Sequence, residues 1–193
     1  KNELYQWEDI CARHQSSGVG DTFLAKIQKW TTSRTDPVTY RKQVWKAVIP
    51  EMEVLRKRWR KYLHETLLPL YTACDSEEKF TSCCQEFLAA CPDWTIQEEQ
   101  LLVYWIYTYF CGAVYDDQIF AKIKMAVVCT AMIHDLGRRV LTSQMTTISP
   151  FDDLVSICYR FSRELEHSDL NLNEMERLMD EDEIFAFRNL LLI

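Results

Sequence analysis

Apolar residues recur at spacings of three and four along nearly the whole chain, and strict strand-type alternation is almost absent. That periodicity predicts an all-α protein, one compact domain over residues 1–193 with about eight to ten helices. A first helix is expected from Asn2 to His14, with Leu4, Trp7 and Cys11 on one side, and Ser16 to Gly20 breaks it. A second opens at Asp21 with Phe23, Leu24, Ile27 and Trp30 inward. Pro37, following Asp36, suits the first turn of a third helix, which Pro50 should end or kink.

Met52, Leu55, Trp59, Tyr62 and Leu63 then keep a helical stripe until Pro69, and a helix from Asp75 carries Phe80, Cys84, Phe87, Leu88 and Cys91. Thr95 and Glu98 have capping-box spacing. The helix they open is the most apolar of the chain, which places it centrally, with Trp105 and Phe110 in the core. Asp116 or Asp117 should cap the next helix, which carries Ile119, Phe120, Ile123, Val127 and Met132 and ends near Leu141. Ser149-Pro150 starts an amphipathic helix with Phe151, Leu154, Val155, Cys158, Phe161 and Leu165 inward, and short helices near 172–180 and 183–192 finish the chain.

The longest apolar run, Leu101 to Tyr115, is 15 residues, short of the roughly 20 that a membrane span needs. It therefore reads as a buried helix, and no membrane partner is expected. Apolar residues at 48% and charged residues at 26% are ordinary globular usage. No initiator Met or leader precedes Lys1, which points to the C-terminal fragment of a longer, non-secreted protein. Most of the eight cysteines occupy apolar helical positions, which suggests reduced thiols and a cytoplasmic location.

Charge is uneven. Residues 1–67 carry 13 basic against 8 acidic groups and residues 68–193 carry 9 against 21, within a net charge of −7. The balance argues against nucleic-acid binding, while the first third can present a cationic face to an acidic partner. Arg56, Lys57, Arg58, Arg60 and Lys61, with Trp59 among them, are the sharpest feature and the candidate partner-binding residues. On a helix, five cations over six positions must fan round most of the surface, so a merely solvated face is the competing reading.

Motifs for chemistry are incomplete. His134-Asp135 looks like the metal-binding core of the HD phosphohydrolase superfamily, where a divalent metal takes several N and O ligands. The nearest upstream histidine is His64, 70 residues away, so a simple His-Asp near a helix end is the better reading. Asp116-Asp117 and Asp152-Asp153 are similar to the paired acidic motifs of class I terpene synthases, but Phe120 and Arg160 stand where further acids belong, and helix caps explain them better. Cys74, Cys83, Cys84 and Cys91 contain no C-x-x-C unit, so no metal site is expected. Gly18-Val19-Gly20-Asp21 follows a helix rather than a strand and is no dinucleotide fingerprint. The catalytic and cofactor-binding residues are unknown on this reading.

Two strings carry a family resemblance: Glu98-Glu99-Gln100-Leu101-Leu102-Val103-Tyr104-Trp105-Ile106-Tyr107-Thr108-Tyr109, and Phe161-Ser162-Arg163-Glu164-Leu165-Glu166-His167 some 55 residues later. In content, order and separation they resemble the flagellin lysine-N-methylase family. The resemblance implies a protein-lysine methyltransferase acting on flagellin, with S-adenosylmethionine as donor and an iron–sulfur cluster held by an N-terminal cysteine cluster of the full-length enzyme. That cluster is not in this sequence, and Cys83-Cys84 stands in the wrong context to replace it. The implied role of this chain is scaffolding or recognition of flagellin, inactive alone and without a cofactor of its own. A non-catalytic helical interaction module is the alternative, and a metal-dependent HD-type phosphohydrolase the next.

Overall fold

The computed structural model describes residues 36–142, 149–190 and 193. The two helices expected before Asp36 and the Gly18–Asp21 segment lie outside the described residues. Among those residues every regular element is helical: α1 (Pro37–Glu51), α2 (Lys57–Ala73), α3 (Glu77–Ala90), α4 (Trp94–Tyr109), a 3-10 turn (Phe110–Gly112), α5 (Ala113–Asp116), α6 (Ile119–Thr142), α7 (Pro150–Leu165), α8 (Asp169–Glu181), a 3-10 turn (Glu183–Phe185) and α9 (Phe187–Leu190).

The centre is α6, against which α2, α3, α4, α7 and α8 all pack. Met125, Ala126, Val128, Cys129, Met132, Ile133 and Leu136 are buried on it. This corrects the placement of α4, which buries only Trp94 and Trp105 and leaves Val103, Ile106, Tyr107 and, just beyond its end, Phe110 exposed. The physical reason is residue size rather than mean apolarity. Small residues on α6, among them Ala121, Ala126 and Ala131, let neighbouring helices approach closely, and a Cβ at Gly137 would stand 2.9 Å from Leu154 Cδ2 and 3.3 Å from Phe87 Cε2. The bulky tyrosines of α4 suit a periphery.

Helix starts follow their caps. The Asp36 carboxylate accepts from the Thr39 amide at 2.9 Å ahead of Pro37, and Ser149 Oγ accepts from the Asp152 amide at 3.1 Å ahead of Pro150. Each satisfies an amide that the helix leaves orphaned. Three expected boundaries move. The Thr95/Glu98 box does not form, because Asp93 precedes a helix already begun at buried Trp94, whose amide donates to the Cys91 carbonyl at 3.0 Å. Pro69 does not end α2; burial of Leu70 and Cys74 against Cys83 carries the helix on to Ala73. Asp117 is the left-handed end of α5 (φ 59°), while Asp116 accepts from the Gln118 amide at 2.9 Å just before α6.

Candidate functional site

The five cations of the basic run sit at the start of α2, with Arg56 just ahead of its first turn, and all are exposed. The structure divides them. Arg56, Lys57 and Arg58 line a groove of about 500 Å³ between α2 and α7, into which α7 brings Arg160 and Arg163. Arg60 faces away, into a second hollow shared with Lys42, Lys46 and His64. Lys61 lies 3.6 Å from Glu65 on the solvent side, an exposed pair that contributes little.

Aromatic rings floor the groove. Trp59 stacks on Tyr62 with centroids 5.6 Å apart and meets Phe161 edge-on at 6.3 Å. The Arg160 guanidinium lies 5.1 Å from the centre of the Tyr62 ring. Burial pushes the Tyr62 phenol up against the opposing pull of Arg160. Arg163 reaches Tyr159 Oη at 2.5 Å and lies 5.4 Å from its ring centre, holding both side chains at the rim. The acidic group here, Glu164, is buried and already engaged: its Oε2 accepts the amides of Leu55 at 3.0 Å and Arg56 at 3.4 Å. Those bonds fix the turn that leads into α2, whose first turn holds no acid. Five guanidinium and ammonium groups thus line an aromatic floor, with Arg160 and Arg163 held by Tyr62 and Tyr159, an arrangement suited to carboxylates.

Arg160 and Arg163 were not read as partner-binding residues in the sequence. Their spacing of three, within Tyr159-Arg160-Phe161-Ser162-Arg163, is the signal that they share a face opposite the buried Ile157, Phe161 and Leu165 stripe.

The two strings that carried the resemblance meet in space. Tyr104 and Tyr109 donate to Glu166 Oε2 at 2.5 and 3.0 Å, and Trp105 packs edge-on against Phe161 at 6.3 Å. Phe151 and Val155, expected inward, are exposed instead and line an open trough between α4 and α7.

His134-Asp135 sits within α6 rather than near its end, and its surroundings exclude a metal role. The His134 ring packs against both Phe87 and Trp94, each tilted to it with centroids at 4.8 Å. Burial, with Arg41 and Arg138 adding to it, lowers its pKa to about 3. Asp135 accepts from Trp45 Nε1 at 2.8 Å and Tyr71 Oη at 2.6 Å, pairs with Arg138, and has Arg41 Nε at 3.6 Å. Burial alone would raise its carboxyl, but the two arginines and these donors hold it at about 2. Both Asp135 oxygens are engaged by protein donors, so the carboxylate is a buried structural hub. Among the described residues no group of three or more His, Cys, Asp or Glu side chains could hold a metal ion.

The paired acids do not converge on a ligand either: Asp116 pairs with Lys122 at 2.8 Å, and Asp152 accepts from Ser149 Oγ at 2.6 Å. The cysteines do not fit an iron–sulfur cluster. Cys74 and Cys83 lie in a small apolar cluster, Cys84 Sγ is 3.1 Å from Arg138 Nη1, and Cys91 donates to Gln97 Oε1 at 3.3 Å. Nor do Gly112 and Gly137 frame an open loop for S-adenosylmethionine: a Cβ at either would stand within 3.1 Å of a neighbouring side chain. Among the described residues no helix is long and apolar enough to cross a membrane.

No curated protein and no solved structure matches this chain. One family profile does, over residues 1–193, and its description is the FliB lysine N-methylase C-terminal domain. The family that the two meeting strings resembled is therefore the family to which this chain belongs.

Proposed function

We propose that this chain is the substrate-recognition part of a protein-lysine N-methyltransferase of flagellin, and that it docks an acidic face of flagellin in the cationic groove between α2 and α7. The observation that carries this reading is the convergence of Arg56, Lys57 and Arg58 with Arg160 and Arg163 over Trp59 and Tyr62, in a chain whose net charge is −7. A cationic groove on an otherwise acidic protein orients an acidic partner and speeds its encounter. Methyl transfer from S-adenosylmethionine, and the iron–sulfur cluster, we assign to the full-length enzyme outside the described residues. We place the enzyme in the cytoplasm, where the free thiols of the described cysteines suit a reducing compartment.

The test is flagellin binding by the 193-residue chain and by its Arg56→Glu/Lys57→Glu/Arg58→Glu variant. We expect the variant to bind at least tenfold more weakly with its helical circular dichroism intact. Equal binding would remove the groove from substrate recognition.

A further inference from the structure

A second concavity adjoins the groove, with Tyr159 lining both. It is a trough of about 540 Å³ between α4 and α7, inside the range of roughly 300–1,000 Å³ typical of ligand sites. Trp94 and Trp105 form its buried floor, and Phe151, at 58% exposure, and Tyr159, at 56%, stand as its walls. One ionisable acid lines it, Glu166. Its Oε2 holds the hydroxyls of Tyr104 and Tyr109, while Oε1 is shielded from solvent and accepts no hydrogen bond. A shielded carboxylate oxygen without a donor is costly. Tyr104, 45% exposed, lines the trough beside it.

We infer that this trough binds an alkylammonium side chain, that of lysine or N-methyl-lysine, with its aliphatic stem along Phe151, Val155 and Leu101 and its ammonium at Glu166. The chemistry is selective. Apolar walls favour the methylene stem, aromatic faces attract the cation by their quadrupoles, and the carboxylate supplies the opposite charge in a shielded setting where it is strongest. A carboxylate or phosphate ligand meets the negative charge of Glu166 there. The inference takes from the proposed function only that the partner is a protein presenting lysines. The shared Tyr159 then lets an acidic stretch in the cationic groove deliver a neighbouring lysine to the trough.

The probes are the blocked amino acids Nα-acetyl-lysine N-methylamide, its Nε-monomethyl and Nε-trimethyl forms, and the norleucine counterpart, which keeps the stem and lacks the charge. Binding to the whole chain is read from the indole N–H resonances of Trp94 and Trp105. Lysine and its methylated forms are expected to bind at least tenfold more tightly than norleucine, and Glu166→Gln is expected to remove that preference. Phe151→Ala, at an exposed wall position, should weaken all four probes. A stronger response to the trimethyl form assigns the trough to the methylated product, and a stronger response to free lysine assigns it to the substrate. Equal binding of norleucine, or a lysine preference unchanged in Glu166→Gln, overturns the proposal. Loss of flagellin docking in the groove variant with lysine probes still bound leaves both readings standing. Intact lysine binding with docking unaffected by groove charge sinks the groove alone.

Discussion

The indole N–H of Trp45 donates to Oδ2 of Asp135 at 2.8 Å across 90 positions of sequence. The same oxygen accepts the Tyr71 hydroxyl, so α1, α2 and α6 are tied through one buried carboxylate. Removing one member of such a hub leaves its partners' charges uncompensated. Asp135→Asn is therefore expected to destabilise the protein by about 3 to 5 kcal/mol, because Arg41 and Arg138 remain buried without their anion. Urea unfolding of the two proteins measures this, and a loss below about 1 kcal/mol means water reaches the hub.

His134 gives the fold a pH dependence. Its pKa falls from the ordinary 6.5 to about 3 on folding, so between these values the unfolded chain binds a proton that the folded chain refuses. Stability is complete above pH 6.5 and declines as pH falls towards 3, by at most about 1.4 kcal/mol per pH unit from this one group. Asp135 adds its own loss only lower, as pH drops from its ordinary 3.8 towards about 2. His134→Phe should flatten the stability profile between pH 6.5 and 4. A slope unchanged in that variant assigns the effect to other groups.

Trp105, 1% exposed, packs against Tyr104, Tyr109 and Phe161. Trp105→Ala is expected to cost about 3 to 5 kcal/mol as a cavity-forming truncation. Thermal melts read this directly, and a shift of a degree or two contradicts it.

Arg60 and Lys61 provide the internal control for the basic run. They point away from the groove that Arg56, Lys57 and Arg58 line. Arg60→Ser/Lys61→Ser should change stability by no more than about 0.5 kcal/mol and leave flagellin affinity nearly as it is. If that pair weakens binding as much as Arg56→Ser/Lys57→Ser does, recognition follows net charge and not the groove.

The helical class, the Pro37 and Ser149-Pro150 starts and the burial of Trp105 were legible in sequence, because each is a local signal. What depends on three-dimensional approach was not. The centrality of α6 rests on alanines and Gly137, which carry little weight in an apolarity count yet let Leu154 and Phe87 come close. Phe151 and Val155 looked like core, since a stripe wider than the contact surface cannot show which edge stays open. The basic run was visible as charge. Its division into Arg56, Lys57 and Arg58 on one side and Arg60 and Lys61 on the others, and its completion by Arg160 and Arg163, follow from how α2 meets α7. Asp135 read as one of a His-Asp pair because its partners, at positions 41, 45 and 71, are far away in sequence.

The most direct test of the cationic groove is the association rate of flagellin with the 193-residue chain at two ionic strengths, roughly 0.01 M and 0.15 M, between which the Debye length shrinks from about 30 Å to about 8 Å. For the native chain the on-rate should fall severalfold as salt rises. For the chain with Arg56, Lys57, Arg160 and Arg163 replaced by Ser, it should start lower and change little. An on-rate equal in the two proteins at low salt would contradict docking in the groove and leave those cations a solvated face.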